Sequence, residues 1–469
     1  MLTTHTARRL SCAIAIAIVL PCARANAQPS AGAGASGTEA DPEPTAEELA
    51  AAPPADRASG IARDHDRDEG AARRAGRVLL WAPRELLELG FRVPDALAGR
   101  TDSYLESRGP NVFARGEDSG GWSGGAMVAW EQPFGPSVGA RVGHSVGRYA
   151  SADVTAIAFG RHGYTGRLGV DVAPSEVVRV ELEGEASLAR ETAFAGVGDH
   201  ELGDPGDAAV VLDPFADGAV PEVIVVDDAV TARASVPVAL GPFEIRPGAR
   251  YERHDLRPDG DFPYDRAALP GLADPFGVAV GSLDVVVDRR RAPYPWIPES
   301  APATGWRVRG SASYTLGAGE TDGAGDLRFA RWGASAERLF DLFRGTRVLI
   351  LRARVEAVTG DREQIPFILL PSLGGPDALR AFSRGRFRDA AATSGEVVYE
   401  WATGHNARAA IFVEGGGVHP EIGDADADHL HLSAGGWFRL VFDGGTAARL
   451  VIAGSDTAEL GLYLVLGGV

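Results

Sequence analysis

Cysteine is almost missing from this chain: Cys12 and Cys22 are the only two, and both fall in a stretch that reads as a leader. Arg8 and Arg9 precede an apolar run from Leu10 to Leu20, and Ala25-Asn26-Ala27 supplies small residues before Gln28. That is the pattern of a secretory signal peptide over 1–27. Pro21 stands where a lipoprotein leader wants a small, flexible residue, which argues against lipidation at Cys22. A chain cut after Ala27 keeps no disulfide, no thiolate metal site and no cysteine nucleophile.

Long apolar runs are missing too, since no later stretch approaches the ~18 apolar residues of a membrane helix. Positive charge is in short supply. Against 64 acidic residues stand 46 basic ones, for a net charge of −18 that becomes −21 once Arg8, Arg9 and Arg24 leave with the leader. Such acidity repels phosphates and excludes nucleic acid as an expected partner. No GxSxG elbow, HExxH pair or P-loop is present, so neither an enzyme nor a cofactor is expected. Asp424, Asp426, Asp428, His429 and His431 cluster together, but without the glycine and distal glutamate of a calcium loop; a solvated loop and no metal is the expectation. Asp288 and His254 would suit a rim dyad, although nothing in the sequence brings them together.

What remains divides into zones. Residues 28–72 are rich in Ala, Pro, Asp, Glu and Gly with almost no large apolar side chain, and predict a disordered tether. Over 73–112, Val78, Leu79, Leu80, Trp81, Leu86, Leu87, Leu89, Phe91 and Leu97 lie among arginines and glutamates, broken by Pro83 and Pro94. One or two short amphipathic helices fit that spacing, lying at a membrane surface, plugging a barrel mouth or packed beneath strands.

From about residue 120 the period becomes two. Val180, Leu182, Gly184, Ala186 and Leu188 oppose Arg179, Glu181, Glu183, Glu185 and Ser187; Leu349, Leu351, Ala353 and Val355 oppose Arg352, Arg354 and Glu356. A helix would mix those sets, and a soluble sandwich would not carry Arg and Glu so consistently on one face of long strands. A mean hydropathy of −0.06 suits a membrane barrel, in which only alternate residues need be apolar. Sixteen strands can be placed between 120 and 467, with long loops at 192–225, 255–279 and 360–393 and mostly short turns on the other side. The fold class is therefore all-β: a 16-stranded antiparallel transmembrane β-barrel over 113–469, in the outer membrane, contacting lipid and lipopolysaccharide. Lipid tolerates no open sheet edge, so the sheet is expected to close.

The run from Pro371 to Asp389, PSLGGPDALRAFSRGRFRD, sits in the last of those long loops. A loop folded into the lumen must satisfy its buried polar groups, and Arg380 is a planar cation with five donors. Glu400 and Glu414, on the two following strands, are its candidate partners. Gly374 and Gly375 permit tight turns that a β-carbon would forbid. An exposed arginine without a fixed partner is the alternative. Arg384, Arg386, Arg388 and Asp389 either extend the network or are solvated.

The motif Gly374, Gly375, Leu379, Arg380, Ala381, Phe382 resembles the lumen loop of the BamA/TamA outer membrane protein superfamily, which carries GG and then VRGF or LRGF between strands eleven and twelve of a sixteen-strand barrel. Phe194 to Gly198 resembles its FxGxG run, Val287 to Arg290 its YDTR strand ending, and Phe412 to Gly416 its FVDxG strand. The resemblance covers roughly residues 110–469. It implies a lumen loop locked by Arg380, with acidic partners at the positions of Glu400 and Glu414. It also implies insertion or translocation of proteins at the outer membrane of a Gram-negative cell. Two departures stand out. Ala381 replaces the usual glycine, and Gly467-Gly468-Val469 replaces a terminal aromatic residue. Residues 28–112 lack the strand patterns of POTRA modules, so a POTRA-less member is expected. It would act alone, with a separate periplasmic subunit or directly on outer-membrane protein clients. A stand-alone plugged pore or structural barrel without a protein client is the competing reading.

Overall fold

The computed structural model describes residues 121–466, with breaks at 132–133, 148, 160–162, 199–211, 216–220, 273, 295–300, 320–326, 404–406, 426–428 and 443–444. The signal peptide, tether and amphipathic segment expected before residue 113 lie outside the described residues, as do the first residues of the expected barrel and Asp426 and Asp428.

Alternation builds the strands in order. The first are β1 (Gly121–Glu131), β2 (Gly135–Val146), β3 (Ala150–Phe159), β4 (Gly163–Val172) and β5 (Val180–Phe194). Next come β6 (Val223–Ser235), β7 (Val238–Leu240), β8 (Phe243–Asp259), β9 (Phe276–Asp288), β10 (Gly305–Gly319), β11 (Leu327–Phe343) and β12 (Arg347–Thr359). After the long loop, with its two-residue strands β13 (Ser372–Leu373) and β14 (Phe387–Arg388), follow β15 (Ala391–Ala402), β16 (Ala407–His419), β17 (His431–Phe442), β18 (Gly445–Ser455) and β19 (Leu460–Leu466). Pro237, which has no N–H to offer a ladder, interrupts what is otherwise one strand, so β6 and β7 form a single stave beside β8. With β13 and β14 set apart as a hairpin, sixteen antiparallel staves remain, and β1 pairs with β19 to close them into a barrel.

The face rule holds around the wall. Val138, Val142, Leu168, Leu182, Tyr251, Leu283, Val413 and Ile452 stand exposed on the outside, as a lipid-facing surface requires. The opposite face carries cross-strand ion pairs such as Arg141–Asp153, Arg167–Glu183, Arg246–Glu181 and Arg309–Asp284. Among the described residues no helix is long and apolar enough to cross a membrane; the strands do so instead.

Strand ends differ from expectation by a few residues, as at β8, which runs to Asp259 rather than 254. A larger surprise is a bulge in β5. Ser187 faces Ala229 but Arg190 faces Asp227, so β5 holds one extra residue. Ala189 takes a left-handed φ of 53° and donates its N–H to Asp228 Oδ1 at 2.6 Å. One added residue reverses inside and outside. Leu188 points outward below the bulge, while Phe194 above it is fully buried.

That reversal supplies an apolar cap at the long-loop end. Phe194, Val197, Tyr264, Leu269, Leu272, Phe276 and Phe367 pack in one cluster, with Phe194 and Phe367 centroids 4.6 Å apart and the Tyr264 hydroxyl donating to Pro221 O at 2.7 Å. A second cluster, around Leu373, Leu379, Phe382, Phe387, Phe412 and Trp437, seats the long loop against β15 to β19.

Candidate functional site

The loop between β12 and β15 joins the eleventh stave to the twelfth and folds into the lumen. Its legs are pinned by β13 pairing with β14 and by Arg362, whose Nη1 donates to both oxygens of the buried Asp389 at 2.9 and 2.8 Å. Between the legs the tip turns on itself: the N–H of Gly375 donates to Phe382 O at 2.9 Å and that of Phe382 to Leu379 O at 3.0 Å. Gly374 and Gly375 have φ of 102° and 101°, and a β-carbon on Gly374 would collide with Ser383 O. Their glycine identity is thus required by the turn.

Arg380 lies at the tip with only 3% of its surface exposed. Its backbone N–H donates to Glu414 Oε1 and its Nη1 to Glu414 Oε2 at 2.9 Å. Nη1 also pairs with Glu396, Nε donates to Pro376 O at 3.1 Å, and the guanidinium sits 4.6 Å from the Phe412 ring centroid. Two carboxylates, a carbonyl and an aromatic face surround one buried cation, the compensation such a group needs.

Glu400 is not among these partners, which corrects the sequence expectation. It is itself buried, accepting from Arg408 Nη1 at 3.0 Å and Arg439 Nη2 at 2.7 Å. Glu396 and Glu400 share the lumen face of β15 but sit ~13 Å apart along it, too far for one guanidinium to reach both. The depth at which the loop tip rests selects Glu396. Ala381, where the resembling family has glycine, has no left-handed φ; the strained residue is Leu379, with φ of 54° and no exposed surface. The Ala381 N–H donates to Ser433 Oγ at 3.1 Å, so the extra methyl is accommodated.

Glu396 ties the loop into a chain of alternating charges along the wall. Arg290 pairs with Asp288 at 2.6 Å and Glu337 at 2.9 Å, and Arg352 then links Glu337 at 2.6 Å to Glu396 at 2.7 Å. Arg380 continues from Glu396 to Glu414. The chain runs from the end of β9 across β11, β12 and β15 to the loop and β16. Beside it a lumen pocket of about 240 Å³ is lined by Arg307, Arg309, Arg352, Arg354, Glu337 and Asp377.

The other loop arginines divide by partner. Arg386 is buried 3.9 Å from Glu222, whose carboxyl also accepts from Ser383 Oγ at 3.2 Å and is pushed above its usual range by burial. Arg388 is buried, with Nη1 3.4 Å from Phe367 O, and desolvation lowers its pKa to about 10. Among the described residues no carboxylate pairs with Arg388.

Each resembling run meets this site or its frame. Phe194 to Gly198 packs over the loop, the Gly198 N–H donating to Arg388 O at 2.7 Å. The Val287 to Arg290 run supplies the start of the charge chain, and the Phe412 to Gly416 run supplies both the ring and the carboxylate that hold Arg380. His254 and Asp288 do not meet: they lie near opposite ends of adjacent strands, His254 beside Asp227 at 2.9 Å and Asp288 beside Arg290. Among the described residues no group of three or more His, Cys, Asp or Glu is placed to hold a metal.

The barrel closes where β1 meets β19. Among the described residues Val128 to Glu131 pair with Leu466 to Tyr463, four residue pairs, whereas β1 makes eleven with β2. Gly121 to Met127 have no β19 partner among the described residues.

No family model and no curated protein sequence matches the chain. Solved structures do. BamA from Haemophilus ducreyi lacking POTRA domains 1-3 superposes with a TM-score of 0.52 at 14% identity, over 75% of this chain and 70% of that one. CdiB from Escherichia coli gives 0.47 at 13%, over 74% of this chain and 63% of that one, and CdiB from Acinetobacter baumannii 0.45 at 12%, over 74% and 59%. A closed barrel of sixteen antiparallel staves, apolar outside and charged within, holding a lumen loop between its eleventh and twelfth staves, has the fold of the BamA-type outer-membrane barrels.

Proposed function

We propose that this barrel inserts or translocates proteins at the outer membrane, with the β1–β19 seam as its working part. The observation that carries the reading is the seam of four pairs among the described residues, where β1 makes eleven pairs with β2 and β19 seven with β18. Ladder hydrogen bonds hold staves together, and unmet backbone groups in lipid are costly, so a junction with few pairs is where a wall opens at low cost. The long loops face the cell surface and the short turns the periplasm, where a separate subunit or an outer-membrane protein client would meet the barrel, within lipid and lipopolysaccharide. The reading is of a non-enzymatic machine.

A lumen crossed by paired charges, with an apolar cluster at its long-loop end, favours this over a steadily conducting pore. Deletion in the native host tests the assignment. Loss of a defined set of outer-membrane or surface proteins is expected. An unchanged outer-membrane protein profile, together with steady ion conduction by the purified barrel in planar bilayers, would replace it with the pore reading.

A further inference from the structure

We propose that the lumen loop is also the latch of the seam, because Phe382 and Arg384 hold the two residues, Tyr463 and Glu131, that face each other across it. Glu131 and Tyr463 are register partners and, among the described residues, form the β1–β19 pair nearest the long-loop end. From inside the lumen, Arg384 Nε and Nη2 each donate at 2.8 Å to the two oxygens of Glu131, a bidentate fork on β1. The Tyr463 hydroxyl on β19 donates to Phe382 O at 3.1 Å. One short segment of loop therefore spans the junction side to side.

The seat is close-fitting on the β19 side. A β-carbon on Gly461 would strike Arg380 O, so the loop backbone lies flush against that strand. The Ala381 N–H reaches Ser433 on β17, and Arg380 is held by β15 and β16. The loop is thus anchored deeply on the β15–β19 side and reaches over to β1 by one side chain. To the four backbone pairs described at the junction the fork and the hydroxyl bond add only while the loop is seated. Withdrawal of the loop frees β1 first, since Arg384 is the contact that crosses. Asp377 also lies near Arg384 and shares its field. The latch rests on the seam being the working part of the barrel.

Hydrogen exchange reads it directly, because amide exchange rates rise in proportion to the opened fraction. The full chain is reconstituted in lipid vesicles without any client, and exchange is followed in peptides covering Val128–Glu131 and Tyr463–Leu466. Arg384→Gln and Glu131→Gln should each speed these amides about five-fold, the equivalent of ~1 kcal/mol for a well-formed ion pair, while β3 to β5 exchange as before. Tyr463→Phe should act in the same direction. The swap Arg384→Glu with Glu131→Arg should return the rate toward wild type. Wild-type exchange at the seam in both Arg384→Gln and Tyr463→Phe would overturn the latch, as would equal acceleration in every stave. Insertion of an unfolded barrel protein by the same vesicles is read separately. Faster seam exchange with unchanged insertion leaves the latch standing and removes the functional reading.

Discussion

Arg380 converts a flexible tip into a fixed one, because its buried charge has two carboxylates within reach and nowhere else to go. Removing it leaves Glu396 and Glu414 facing each other in the lumen. Arg380→Ala should lower unfolding stability by roughly 3–5 kcal/mol, as breaking a buried pair does, measured by the temperature at which the barrel loses its compact gel mobility. Arg380→Lys should recover only part, since an ammonium cannot fork between two carboxylates and a carbonyl. Glu400→Gln, in contrast, should leave the loop seated and disturb Arg408 and Arg439 instead. Glu222 adds a pH dependence of definite sign. Its folded pKa lies above the unfolded value of 4.5, so the folded state binds the extra proton, and stability falls as pH rises from about 4.5 through the raised value. Glu222→Gln should flatten that part of a stability-versus-pH curve; an unaltered slope would exclude the group as its source.

In the strands and the loop, what was legible follows the period of two. That period depends on one side of each stave meeting lipid and the other a polar lumen, so all sixteen staves, and the place of the loop among them, could be read from the chain. The bulge at Ala189 could not, because an inserted residue only reverses the phase, and the apolar Phe194 above it is equally acceptable to lipid or to a cap. Glu396 was missed for a related reason: it and Glu400 share a face, and no local pattern records how deep a loop descends. The contact between Arg384 and Glu131 joins positions 253 residues apart and left no signal along the chain. Backbone demands give two further tests. Gly374→Ala combines a left-handed φ with a collision and should unseat the loop, exposing Phe382 and Phe387 to protease cleavage nearby. Ala189→Gly should be tolerated or raise stability by up to about 1 kcal/mol, because glycine adopts φ of 53° without strain.

Across the whole chain every one of the 46 basic residues is arginine, and there is no lysine. Arg290, Arg352 and Arg380 each bridge two acids, a task suited to a planar fork, and through them the end of β9 is connected to the loop tip. The wall is therefore tied by charge on the side that carries the loop, while among the described residues four backbone pairs join β1 to β19 at the seam. On the proposed function a client entering at the seam needs β1 and β19 to part, and a covalent staple between them should prevent it. Cysteines introduced at Ala129 and Val465, which are register partners, can be joined by mild oxidation in reconstituted vesicles. Insertion of an unfolded outer-membrane barrel protein should stop when the staple forms and resume when it is reduced. Insertion that continues at the same rate with the seam stapled would contradict the account.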